Sequence, residues 1–158
     1  LTRQCLEVMA GRDFPVVIQT KSARVRRGLD VIRRTPEVEV GFTIATEDET
    51  VARLFEPGAS PVGERIEALR EFRAAGVRTF AFAGPLLPGN PEKLAARLAA
   101  VVDKVLVDRM NYVPAVKAFY ARHGLLEALT DSFFMTQSKR LAKALRARGV
   151  RIDVVFEP

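Results

Sequence analysis

Thiols are almost missing from this sequence: among 158 residues there is one cysteine, Cys5. One thiol makes no internal disulfide framework, and alone it does not hold a zinc ion or an iron–sulfur cluster. Histidine is equally scarce. His123 stands alone, and no Ser-His-Asp constellation, paired-carboxylate motif or metal-ligand spacing accompanies it. Tryptophan is absent, and the other aromatic residues do not interleave with the basic stretches as they do in proteins that stack single-stranded bases. No apolar run reaches the roughly 20 residues of a membrane-spanning helix. The opening LTRQCLEVMA lacks a charged leader, an apolar core and a cleavage site, so no signal peptide is expected and the cytoplasm is the expected compartment.

What is present is the composition of one globular domain. Hydrophobic residues make up 48% of the chain, enough to fill a single core spanning residues 1–158. The net charge of +6 attracts anionic partners, nucleic acid among them, although a general preference for arginine gives the same balance. Apolar runs rich in β-branched and aromatic residues recur at 15–22, 38–46, 77–85, 103–111 and 150–158. These predict five strands. Several are continuous rather than alternating, the pattern of parallel strands covered on both faces.

Helical punctuation fills the gaps between them. Thr46 and Glu49 stand at capping-box spacing before VARLF. In SPVGERIEALREFRAAG, Ser60 predicts the N-cap, Pro61 the first helical residue and Gly76 the stop, with Ile66, Leu69 and Phe72 inward. Asn90 and Pro91 repeat the device. Further helices are expected over 114–129 and up to Gly149, the latter with Leu141, Ala144 and Leu145 on its apolar side. Strand and helix in alternation mean an α/β fold with a parallel sheet, either open and doubly wound or a piece of a β/α barrel. Both put ligands at the carboxyl ends of the strands.

Polar residues cluster at those ends. Lys21 offers a cation for a carboxylate or phosphate, and Ser22 and Thr43 offer hydroxyls. Gly84 in GPLLPG lets backbone approach a ligand closely. Asp108 and Arg109 either pair structurally or present opposite charges to a substrate, with Asn111 beside them. His123 reads as a residue stabilised at a helix C-terminus, and Cys5 as a small buried side chain on a helix. The basic stretches Arg24–Arg34 and Lys139–Arg148 read first as solvated faces.

Taken together, IQTKS, VGFTIAT, LFEPGASPVGERIEALREFRAAGV, FAFAGPLLPG and VLVDRMNY resemble the later part of the radical SAM barrel, in the branch containing spore photoproduct lyase. FEPGASP followed by ERIEALREFRAAG is the most distinctive piece, and the resemblance covers roughly residues 1–112. It implies a partial TIM-like (β/α) barrel whose C-terminal portion is this chain, followed by a helical extension over about 113–158. It also implies S-adenosylmethionine and a 4Fe–4S cluster in a full-length parent, a 5′-deoxyadenosyl radical, and a nucleic-acid or modified-nucleotide substrate. Under that resemblance Lys21 and Thr43 match positions at the S-adenosylmethionine methionyl or ribose groups. Ala83 and Gly84 match the strand whose backbone lies near the adenine, and Ser22 and Thr46 are neighbours by position. CxxxCxxC is absent, so the cluster ligands do not come from this chain, and the chain alone is expected to be inactive. A non-catalytic nucleotide- or nucleic-acid-binding domain is the competing expectation.

Overall fold

The computed structural model describes residues 2–12 and 14–155; the last three residues of the expected fifth strand lie outside them. Five strands form one sheet: β1 (Val16–Thr20), β2 (Val38–Thr43), β3 (Arg78–Ala83), β4 (Lys104–Val107) and β5 (Arg151–Val154). All pairings are parallel and the spatial order is β1-β2-β3-β4-β5. Each crossover therefore advances in the same direction, and right-handed connections then place the helices on one face. This is the winding of a barrel segment. A doubly wound sheet would reverse its strand order and carry helices on both faces.

The helices are α1 (Thr2–Ala10), α2 (Leu29–Ile32), α3 (Glu49–Phe55), α4 (Val62–Ala74), α5 (Pro91–Ala99), α6 (Val113–Arg122) and α7 (Asp131–Arg146). One 3-10 helix, Ala23–Gly28, precedes α2, and another, Leu126–Leu129, precedes α7. The expected helix over 114–129 is thus two pieces, broken after His123 where Gly124 takes a φ of 68°. α4 packs on β2 and β3, and α7 on α5 and β5. Ile66, Leu69 and Phe72 face the core as their spacing predicted, and so do Leu141, Ala144 and Leu145. Each of the leucine, isoleucine and phenylalanine side chains stabilises the fold by about 1.5–3 kcal/mol through removal from water. α1 is tied by Arg3, which donates to both carboxylate oxygens of Asp30 at 2.9 and 2.7 Å. The guanidinium holds the Asp30 carboxyl down at about 2.

Several helix starts differ from the sequence expectation. The N-cap of α3 is Asp48, whose Oδ1 accepts from the backbone N–H groups of Thr50 and Val51 at 2.7 and 3.1 Å. Thr46 instead donates its hydroxyl to the Pro88 carbonyl at 2.8 Å, which joins the loops above β2 and β3. Glu49 caps a different helix: its carboxylate accepts from Val62 and Gly63 N–H at 3.0 and 2.8 Å. A carboxylate there also favours the positive end of the α4 dipole. With Glu49 occupying that place, Pro61 is the N-cap residue, and the Ser60 hydroxyl accepts from Ala23 N–H at 3.0 Å. Asn90 caps α5 as expected, accepting from Lys93 N–H at 2.9 Å. Cys5 is exposed rather than buried, because α1 turns it away from Leu6, the α1 residue in the core.

Candidate active site at the carboxyl ends of the strands

Side chains alternate across a strand, so each residue's parity assigns it to one face of the sheet. The packed core takes one parity: Ile18, Val40, Phe42, Ala81, Ala83, Val105, Val107 and Ile152. The other parity lies on the opposite face, which carries no helix among the described residues. Register aligns it in rows: Gln19, Gly41, Phe80, Lys104 and Arg151 form one, and Thr43, Phe82, Leu106 and Asp153 the next toward the carboxyl ends. Strands that read as continuous apolar runs are therefore apolar on one side and mixed on the other.

Two glycines make room for aromatic rings on this second face. A Cβ on Gly41 would lie 2.2 Å from the Phe80 ring, and one on Gly84 would lie 2.5 Å from the Phe82 ring. Phe80 is buried while Phe82 stays half-buried at the strand ends. Lys104 sits over the Phe80 ring at 5.6 Å and pairs with Glu39 at 2.7 Å. Charge thus closes the amino-terminal half of the face. Nearer the carboxyl ends, Gln19 Nε2 lies 3.5 Å from the buried Thr43 hydroxyl.

A buried ion pair underpins the first two strand ends. Arg65, on α4, is 2% exposed, and Glu56 is 8% exposed. Arg65 Nη1 donates to Glu56 Oε2 at 2.6 Å and to the Thr43 carbonyl at 2.7 Å, while Nε donates to the Ser60 carbonyl at 2.6 Å. A guanidinium is stable out of water only with such pairing and hydrogen bonding. The other Glu56 oxygen lies 3.1 Å from Lys21 Nζ. FEPGASP is therefore a clasp between the ends of β1 and β2.

The expected site residues separate into groups. Lys21 and Thr43 come together at neighbouring strand ends over the Glu56–Arg65 pair. Ser22 caps the 3-10 helix, accepting from Arg24 N–H at 3.4 Å, and lines a cavity of about 580 Å³ beside β1 with Gln19, Thr20, Arg24 and Arg27. The Ala83 side chain points into the helix-covered core, and its carbonyl accepts from Asp108 N–H at 3.2 Å; strand parity decides this. Gly84 lies under Phe82 and beside Asp108. Asp108 accepts from Arg109 N–H at 2.8 Å and from Asn111 Nδ2 at 3.3 Å. Arg109 turns to Asp131 at the start of α7, at 2.8 Å, and a cavity of about 420 Å³ next to them includes Asn111 and Thr130. Arg109 thus makes an ion pair with α7.

The basic stretches remain surface features: Arg26 pairs with Glu71, Arg140 pairs with both oxygens of Glu92, and Arg24 and Arg27 are exposed. His123 ends α6 as expected, its ring 4.7 Å from Phe119. Gln19, Glu56, Arg65 and Phe82 are the strand-end residues that sequence reading passed over. Gln19 carried a signal, since it precedes Lys21 by two and shares its parity.

No family model matches the chain. It is 31% identical over 90 residues to uncharacterized protein ORF301 of Acidianus two-tailed virus, covering 56% of this chain and 30% of that protein. To uncharacterized protein MJ0683 of Methanocaldococcus jannaschii it is 32% identical over 88 residues, covering 56% and 34%. Among solved structures, spore photoproduct lyase matches 99% of this chain with a TM-score of 0.67 at 16% identity. The fold is that of part of spore photoproduct lyase. A lyase variant with bound AdoMet and dinucleoside spore photoproduct gives 0.68 at 17% identity, and the lyase complexed with dinucleoside spore photoproduct gives 0.68. The chain spans 55% of each lyase chain and about a third of the two curated relatives. Its sheet, with helices on one face, corresponds to the partial TIM-like barrel of the lyase. No helix among the described residues is long and apolar enough to cross a membrane.

Proposed function

We propose that this chain is the C-terminal portion of a radical SAM enzyme similar to spore photoproduct lyase, and that its helix-free sheet face lines the reaction chamber. The observation that carries the reading is the overlay of nearly the whole chain, 99% of it, on just over half of the lyase. The donor set supports S-adenosylmethionine at the strand ends. Thr43 and Gln19 offer a hydroxyl and an amide, and the Lys21 ammonium, ion-paired with Glu56, adds N–H donors, a set suited to carboxylate and ribose oxygens. Asp108 and Asn111 stand across the sheet for a nucleotide substrate, the class suggested by the dinucleoside bound to the lyase.

The cluster does not fit this chain. Cys5 is exposed on α1, and among the described residues no group of three or more histidine, cysteine or acidic residues could hold a metal. In the proposed reading the remainder of the parent supplies the thiolates, and this portion binds, orients and shields. The cytoplasm is the proposed compartment.

Calorimetric titration of the chain with S-adenosylmethionine tests the binding half of the reading. Saturable binding that Lys21→Met weakens supports it; no heat at millimolar ligand removes it. The catalytic half is tested in the coding sequence, where CxxxCxxC is expected about 40–90 residues upstream in the same frame, one to two βα units away. An upstream sequence without three cysteines leaves the competing assignment, a non-catalytic nucleotide-binding domain.

A further inference from the structure

Arg65 and Glu56 are too buried to serve a ligand directly, yet they grip the two strand ends assigned to one. We propose that Glu56 is a positioning residue: fixed by Arg65, it holds the Lys21 ammonium beside Thr43 to receive an anionic oxygen group, a carboxylate or phosphate. The identity of the ligand rests on the proposed function; the anion chemistry does not.

Three observations support this. First, Glu56 divides its oxygens, Oε2 on Arg65 at 2.6 Å and Oε1 on Lys21 at 3.1 Å, so one carboxylate links a buried cation to an accessible one. Lys21 is 49% exposed where its partners are 8% and 2% exposed, which leaves it as the member of the triad that a ligand reaches. Second, Lys21 is held at both ends. Its carbonyl accepts from Ser60 N–H at 3.0 Å, and the Ser60 carbonyl accepts from Arg65 at 2.6 Å. A lysine ordered in advance loses little rotamer freedom when it binds. Third, Arg65 also holds the Thr43 carbonyl at 2.7 Å, so the same guanidinium sets the neighbouring strand end. An ordinary surface ion pair has exposed partners on both sides and little effect on anything else.

The test uses the 158-residue chain and two probes, S-adenosylmethionine and 5′-methylthioadenosine, which shares the nucleoside and lacks the carboxylate. Glu56→Gln should weaken S-adenosylmethionine by about three- to tenfold, the cost of ordering one long side chain, Lys21→Met by at least as much because the cation itself is lost, and both should leave methylthioadenosine unchanged. Glu56→Asp keeps a charge for Arg65 but is a methylene short of Lys21. It should give the same split where the glutamine variant does not fold. Equal weakening of both probes would make the pair merely structural. Unchanged or tighter S-adenosylmethionine binding in Glu56→Gln would make Glu56 a competitor of the ligand, and either result overturns the proposal.

If the native chain binds neither probe, the proposed function fails, and inorganic phosphate then decides the positioning role. A phosphate-dependent shift of the Lys21 Nζ resonance that Glu56→Gln diminishes upholds it. No shift, or the same shift in both proteins, overturns it.

Discussion

The two faces of one sheet are built from different chemistry. On the helix-covered face Val40, Phe42, Ala81 and Val105 are fully buried. On the other, the same strands present Gln19, Thr43, Phe82, Lys104 and Asp153. Backbone, register and direction are common to both, so the difference is one of side-chain parity alone. The covered face supplies the hydrophobic stabilisation, which leaves the second face free to carry an amide, a hydroxyl, charges and aromatic rings. That division is how a barrel wall joins a rigid scaffold to a chemically mixed interior.

Substitutions sharpen the contrast. The largest effect is expected from Phe42→Ala on the covered face, about 3–5 kcal/mol in urea unfolding, through lost burial and a residual cavity. A value below that of an exposed site would break the assignment of faces. Arg65→Met should approach it, at about 3 kcal/mol or more, because Glu56 and two carbonyls lose their buried partner. Gly41→Ala should cost about 1–3 kcal/mol by forcing the Phe80 ring aside. Val17→Ala, on the open face and 64% exposed, should change stability by less than about 0.5 kcal/mol.

A titration probes the packing of α6 on α3. Tyr120 lies 4.9 Å from Phe55, and burial pushes its phenol up to about 12. The sign follows from the raised value: the stabilisation is complete below about pH 10, the ordinary tyrosine range, and is lost as pH rises through 12. The native melting temperature should therefore fall more steeply between pH 10 and 12 than that of Tyr120→Phe. Parallel curves for the two proteins would mean that water reaches the phenol.

Much of the scaffold was legible because it is local. Strand spacing, the Asn90-Pro91 helix start and the inward Ile66, Leu69 and Phe72 depend on neighbours within a few residues. The capping of α3 and α4 was misread for an instructive reason: Thr46, Asp48 and Ser60 are all competent caps, and the choice among them depends on Pro88, Glu49 and Ala23. That the Ala83 side chain faces the core is not legible, because an apolar run such as FAFA does not reveal which parity faces the helices. The Arg109 partner, Asp131, lies 22 residues away across the α6 segment.

By itself the sequence determined an alternating α/β chain with a parallel sheet, polar strand ends, and too few thiols for a cluster. Those are consequences of composition and short-range periodicity. Only the tertiary structure decided that the sheet winds in one direction, that one face stays clear of helices among the described residues, and that FEPGASP binds two strand ends through Glu56 and Arg65. Burial and ion pairing depend on which distant segments meet. No local pattern encodes that a carboxylate at 56 will lie between an ammonium at 21 and a guanidinium at 65.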